Sequence, residues 1–370
     1  MARLLEDLIA LQSFTITYGA LNTTKHYKDL KEFPPEVENE INLKVFDVDT
    51  SPTIPSALGN LLFSNTPYHS IRFLVQPMVD WLNGFNENEF DFVLLEGAFM
   101  GDYLREAQRI GQHCTLRAHN LEHKIWERTS EAGSNPLKKW YLTLQSKRLK
   151  KFEEVLTVNA DSVWSISAED KKWFDQYNAK TTTIAASIEQ KELLKDLAPL
   201  SCFHLGALDW EPNLQGLEWF LTSVWPRVLK EISSATFHIA GNNPPKHLQS
   251  DQSKNIIVHG RVPDAEVFAK SHGIAIVPLL AGSGVRIKII MNASWGIPML
   301  STSIGAEGLF KTTEEGVELA DSAQDFAATL IELLYSSKKA MALGKQANRH
   351  ILGSFGPKSI QEKIAQSWSV

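Results

Sequence analysis

The chain has 370 residues, 43% of them apolar and 22% charged, and a net charge of −6. That length favours two domains with full cores that need no disulfide or metal support, and the acidic balance provides no global field for nucleic acid. No apolar run approaches the ~18 residues needed to cross a bilayer, and the acid-bearing N-terminus MARLLEDLIALQ lacks a cleavage pattern, so the expected address is the cytoplasm, with an inner-membrane face as its peripheral limit.

Short β-rich runs alternate with longer helical patterns, the order of an α/β protein with parallel sheets. The chain opens on a helical pattern, Leu4–Leu11, followed by a strand at Phe14–Tyr18. A dinucleotide-type domain usually opens with a strand and a Gly-rich turn. Here either that first turn is missing or the domain is a variant. Further strands are expected at Leu43–Val48, Phe92–Leu95, Cys114–Ala118, Ser162–Ile166 and Thr181–Ala185. Residues 136–156 form one amphipathic helix carrying Lys138, Lys139, Lys147, Arg148, Lys150 and Lys151 with Trp140 and Tyr141. It reads either as a solvated helix packed by Leu142, Leu149 and Phe152, or as a surface for anionic membranes.

The polar stretch Ser187–Leu200 marks a domain boundary, giving a first domain over 1–195 and a second over 196–350. The second repeats the βα pattern, with strands at Cys202–Leu205, Thr236–Ala240, Ile256–His259, Ile274–Pro278 and Met299–Ser301. A last helix, Pro357–Trp368, lies in the tail 351–370. Cys114 and Cys202 sit in apolar strands and read as buried thiols of a reducing compartment. Two consecutive βα domains are expected to bind ligand in a crevice at the carboxyl ends of their strands.

Two segments carry chemistry. Gly282-Ser283-Gly284-Val285-Arg286-Ile287-Lys288 follows a strand and opens a helix. Glycines let the backbone approach a phosphate, the helix start presents N–H groups, and the two cations neutralise charge. Arg117-Ala118-His119-Asn120 ends a strand and projects from its carboxyl end. His119 to His123 also spells the zinc-protease order H-x-x-E-H. That chemistry needs both histidines on one helix face, whereas His119 is expected to precede the helix, so no metal is assigned.

The segments FHLGALDWEPNLQGLEWF (203–220), HIAGNNP (238–244), VHGRVPD (258–264) and 277–309, in this order, resemble the nucleotide-binding half of retaining glycosyltransferases of family four. LNTTKH (21–26) and RAHNLEHKIWER (117–128) resemble the acceptor-side half. The resemblance covers nearly the whole chain and implies the GT-B fold, two Rossmann-like parallel-sheet domains, with the 351–370 helix crossing back to the first domain. It implies a hexosyltransferase-type enzyme of polysaccharide biosynthesis, acting on a nucleoside-diphosphate sugar and a glycan or lipid-linked acceptor with retention, and using no cofactor. The other reading is a catalytically silent GT-B protein that binds sugar nucleotide or a partner.

By that resemblance His119 contacts the donor sugar, Lys288 and Arg286 hold the diphosphate, and Gly206, Gly241, Arg261, Val262, Gly282, Ser283, Gly284 and Glu307 line the donor site. Arg117, Asn120 and Glu122 orient the acceptor-side loop or cap its helix, and Asn213 caps the helix after Gly206. Trp210 either lines the cleft or packs on its helix. The chain departs from the family at Met291, where a glutamate for the ribose hydroxyls is expected. A methionine cannot accept those two hydrogen bonds, and ribose hydroxyls left unpaired there cost about 1–3 kcal/mol. Asn292 or Glu307 are the candidate substitutes.

Overall fold

The computed structural model describes every residue except 1, 25–26, 30–34, 133–134, 249, 282–285 and 370. It divides into two compact units, Met1–Ala186 with Ile360–Val370, and Ser187–Ser359. The polar stretch from Ser187 thus belongs to the second unit.

In the first unit, β1 (Ile16–Thr23) and β2 (Ile41–Val48) pair in parallel, Ile16 opposite Ile41. A separate parallel sheet follows in chain order: β3 (Phe90–Glu96), β4 (Gly111–Ala118), β5 (Ser162–Ser165) and β6 (Thr181–Thr183). Helices cover the sheet, and the longest, Pro136–Asn159, starts under the side-chain cap of Asn135. It buries Leu142, Leu149 and Leu156 and leaves Leu137 and Trp140 in solvent. Its Arg148 donates to the carbonyls of Asn60 and Leu61, pinning the neighbouring helix Ile54–Phe63. The helix Pro357–Trp368 buries Ile360, Ile364 and Trp368 against Leu4, Leu8, Trp164 and Ile184. Two hydrogen bonds fix its end: Trp368 donates to Thr115 Oγ1 at 2.9 Å, and Trp164 donates to Ser367 Oγ at 2.8 Å.

The two sheets of this unit do not join. Among the described residues β1 pairs only with β2, and β3 only with β4. Phe14 lies beside Phe92, ring centroids 6.2 Å apart, and the Glu96 charge acts on Tyr18. Residues of β1 and β3 thus approach one another across the break between the two sheets. A cavity of about 790 Å³ lies there, lined by Phe14, Ile16, Tyr18, Phe92, Leu94 and Glu96. All eight residues of β1 are only half-buried, where an inner strand of a parallel sheet is normally covered. The sequence left a missing first turn and a variant domain as alternatives; the fold shows where a sheet of this unit is interrupted.

In the second unit one parallel sheet has the order β12-β11-β10-β7-β8-β9: β7 Ser201–Leu205, β8 Thr236–Ala240, β9 Ile256–Gly260, β10 Ile274–Val277, β11 Met299–Ser301 and β12 Glu318–Leu319. The chain runs outward from β7 to β9, then returns to β10 on the other side of β7 and runs outward again. The order therefore reverses between β7 and β10, the point where open α/β sheets place ligands. The core on both faces is closed by fully buried Phe203, Phe220, Phe237, Trp225 and Phe326. The helix expected after Gly206 is broken: Glu211–Trp219 runs into a π-type stretch, Phe220–Val224, and resumes at Trp225–Glu231. Pro226 supplies the cause, since it has no N–H to continue the regular ladder. Cys114 and Cys202 are both free and buried.

Candidate functional site

The carboxyl ends of β7 and β10 bring Gly206, Asn213, His204 and Lys288 together. Gly206 leaves β7, and its N–H donates to Ala240 O at 3.1 Å. Leu208 N–H donates to Asn242 O at 3.0 Å, so the turn after β7 is tied to the turn after β8. The approach demands glycine after β8: a Cβ at Gly241 would sit 1.7 Å from Gly206 O. Gly241 N–H in turn donates to Gly260 O at 2.8 Å, joining the turn that carries Arg261 and Val262. Arg261 is exposed and Val262 half-buried, and Asp264 caps the next helix by accepting from the Glu266 and Val267 N–H groups.

Lys288 lies in the first turn of the helix Ile287–Ser294. Its ammonium donates to Asn213 Oδ1 at 2.5 Å, and the Asn213 amide nitrogen donates to Ala207 O at 2.7 Å. Asn213 therefore holds the cation and the turn; it does not cap the helix as expected, and the cap position is Trp210, 40% exposed and without a side-chain hydrogen bond. A Cβ at Gly206 would lie 3.0 Å from the Asn213 amide nitrogen, 3.1 Å from Lys288 Nζ and 3.3 Å from His204 Nε2. The glycine keeps these three polar groups around open backbone.

Burial, reinforced by the charge of Arg286, pushes the Lys288 ammonium down to about 7. Arg286, itself buried, occupies the N-cap position just before the helix, with its own pKa lowered by burial and supported by the charge of Glu307. His204 is fully buried, pushed down to about 3 by burial and then by Lys288, so it is neutral. Its Nδ1 lies 3.1 Å from Ile276 O, and among the described residues its Nε2 has no hydrogen-bond partner. Two basic side chains thus stand at one helix start near a neutral histidine, an arrangement chemically able to receive an anion. Gly282, Ser283 and Gly284, and with them Val285, lie outside the described residues.

Where a ribose-binding glutamate was expected, Met291 is 38% exposed. Asn292 turns inward, 2% exposed, with its Oδ1 unpartnered among the described residues. Glu307 is exposed at the end of the short helix Ser303–Ala306.

In the first unit, β3 and β4 end side by side, Glu96 opposite Arg117. Glu96 Oε1 accepts from the buried Arg117 guanidinium and from His119 Nε2, the latter at 2.7 Å. Burial acts to raise the Glu96 carboxyl, but the hydrogen bond from His119 and the charge of Arg117 prevail and hold it below the usual carboxylate range. Tyr18 is pushed up to about 12 by burial and by Glu96. His119 is 36% exposed in its side chain, and its hydrogen bond to Glu96 is made through Nε2. Sequence reasoning missed Glu96, although an acid ending an apolar strand at its carboxyl end was the available signal.

The helix Glu122–Ala132 begins after His119, as expected. Its start is capped by Glu153, whose carboxylate accepts from the N–H groups of Glu122 and His123, both at 2.9 Å, and pairs with His123 Nδ1 at 2.7 Å. Asn120 and Glu122 were expected to orient this loop or cap the helix; the cap is Glu153, while the Asn120 side chain hydrogen-bonds Glu122, whose carboxyl burial and Glu153 push up. His119 and His123 are thus each committed to a different carboxylate, not to one shared ligand position. The Lys25 and His26 of the LNTTKH segment lie outside the described residues.

Residues 200–336 match the family described as Glycosyl transferases group 1. An uncharacterized 44.6 kDa protein in the cps region of Klebsiella pneumoniae is 26% identical over 260 residues, and that match spans 66% of this chain and 65% of the relative. In fold the chain is similar to sucrose-phosphate synthase from Thermosynechococcus elongatus, at TM-score 0.62 and 15% identity, over 99% of this chain and 91% of that one. It is also similar to HepE from Anabaena, solved in complex with UDP, at TM-score 0.58 and 13% identity, over 100% of this chain and 96% of that one. The chain thus has the GT-B fold, its residues 200–336 match the Glycosyl transferases group 1 family model, and it spans just under two thirds, 65%, of the Klebsiella relative.

Proposed function

We propose that the chain transfers a sugar from a nucleoside-diphosphate sugar to a glycan or lipid-linked acceptor, with retention of configuration. The observation that carries this reading is the Lys288 ammonium, held by Asn213 over Gly206 with Arg286 alongside. The diphosphate supplies counter-charge to the Lys288 ammonium, and the helix start adds its N–H groups. Gly206 and the 282–284 loop receive the phosphates, Gly241, Arg261 and Val262 face the base, and Glu307 or Asn292 takes the ribose. His119, oriented by Glu96 and backed by Arg117, is read as the contact of the transferring sugar. In a front-face mechanism the donor phosphate accepts the acceptor proton while the cations stabilise the leaving diphosphate, so no metal or organic cofactor is called for.

A role in polysaccharide assembly is supported by the cps-region location of the Klebsiella relative. Peripheral membrane contact is supported by exposed Leu137 and Trp140 next to exposed Lys138 and Lys139, and by exposed Ile54, Leu58, Leu62 and Phe63 on the helix that Arg148 holds. No described helix is long and apolar enough to cross a membrane. The test is a thermal-shift series with UDP-, GDP- and ADP-sugars, UDP-glucose first. A shift with one donor that is lost in Lys288→Ala supports the reading; no shift with any of them overturns it.

A second reading, a catalytically silent sugar-nucleotide binder, is favoured by Met291 at the ribose position. Donor binding without donor hydrolysis or transfer selects it.

A further inference from the structure

Away from the donor turns, three histidines of the second unit converge. His238 lies in β8, His259 in β9, and His272 caps the end of the helix Ala265–Ser271. Their nearest ring nitrogens all lie within 4.8 Å of one another. His238 Nδ1 is 3.0 Å from His259 Nε2. The His259 ring centroid is 5.2 Å from both of the others, and those of His238 and His272 are 4.1 Å apart.

Three local features hold this arrangement. The β8–β9 register slips between Ile239 and Ala240: Ile239 faces Val258 and Ala240 faces Gly260, leaving His259 as the extra residue. Such a bulge re-aims the side chain of the inserted residue, here toward His238. His272 Nδ1 lies 2.7 Å from Phe268 O, so that nitrogen carries the proton and Nε2 is left as the acceptor. A ring N–H donated to a backbone carbonyl is the usual support of a metal-bound imidazole. Gly273 follows with φ of +85°, and a Cβ there would lie 2.2 Å from Ser201 O, so the chain after His272 has one path. The Phe268 ring stacks on His272 and meets His259 edge-on, closing the apolar side.

We propose that His238, His259 and His272 bind one borderline divalent transition ion of the zinc, cobalt or nickel class, with water completing the shell. Three neutral imidazoles with an open position suit these ions and not the hard cations magnesium or calcium, which want oxygen. The proton shared between His238 and His259 moves to the outer ring nitrogen of its own residue, so both rings present a lone pair inward and stay neutral. The His238 and His272 rings separate slightly as the ion enters. The ion ties the edge strand β9 to β8 and to the 265–271 helix. It sits one residue before Gly260, whose carbonyl holds Gly241, and so stiffens the turn bearing Arg261.

The experiment titrates the purified, chelator-treated full chain with cobalt(II) and follows its visible absorption, then displaces it with zinc. The expected result is saturation at one equivalent in a tetrahedral-type spectrum, with zinc raising the melting temperature. Exposed His259→Gln and, separately, His272→Gln each weaken binding by at least about tenfold and abolish the zinc-induced shift, with circular dichroism unchanged. Absence of saturable uptake, or uptake unaltered in the His238→Gln/His259→Gln double variant, overturns the proposal.

Discussion

The ammonium of Lys288 rests 2.5 Å from Asn213 Oδ1, a contact between the starts of two helices that follow adjacent strands. Replacing Lys288 with alanine removes a charge-assisted contact of about 1.5–3 kcal/mol, so donor affinity measured by calorimetry should fall roughly 10- to 150-fold. Asn213→Ala leaves Ala207 O and the ammonium without this partner and should weaken donor binding less while lowering the urea midpoint.

The depressed pKa of Lys288 sets a pH dependence. Its folded value of about 7 lies below its ordinary value of 10.5. Above pH 7 the free protein has lost this charge, and an anionic donor must bring the proton back. Affinity for a nucleotide sugar should therefore be full below pH 7 and fall as pH rises, at most about tenfold per unit. Calorimetry at pH 8 in buffers of different ionisation enthalpy should show proton uptake on binding, and none in Lys288→Ala. For stability the sign is opposite. Between pH 7 and 10.5 the unfolded chain holds one proton more, so this residue adds stability as pH rises through that window.

Gly206 and Gly241 should respond differently to alanine. At Gly206 the new methyl meets the ends of side chains, so the fold survives while Lys288 is displaced and binding falls. At Gly241 it meets a backbone carbonyl at 1.7 Å, so the turns must part. Gly241→Ala should lose about 3 kcal/mol or more of stability in urea unfolding.

Glu96→Gln leaves the Arg117 guanidinium, 4% exposed in its side chain, without its counter-charge. Losing one partner of a buried pair costs about 3–5 kcal/mol, which urea unfolding will register. The same change frees His119, and transfer should lose turnover by a larger factor than it loses donor affinity.

Much of this was legible in the sequence. Eleven strands were expected and all are present, with ends shifted by a few residues, because apolar β-rich runs between turns leave few alternatives. The twelfth, Glu318–Leu319, is only two residues long and carries no pattern. The Lys288 turn was legible because glycines, cations and a helix start share one short segment. Partners far apart in sequence were not: Glu96 with His119, Glu153 with His123, and Asn213 with Lys288 meet only after the sheets form. A single chain gives no sign of which distant acid or amide will satisfy a given cation.

The parted edges of β1 and β3 leave rows of amide and carbonyl groups that no described strand satisfies. Hydrogen exchange should find the outward amides of Ile16–Thr23 and Phe90–Glu96 far less protected than those of Gly111–Ala118, whose strand is paired on both sides.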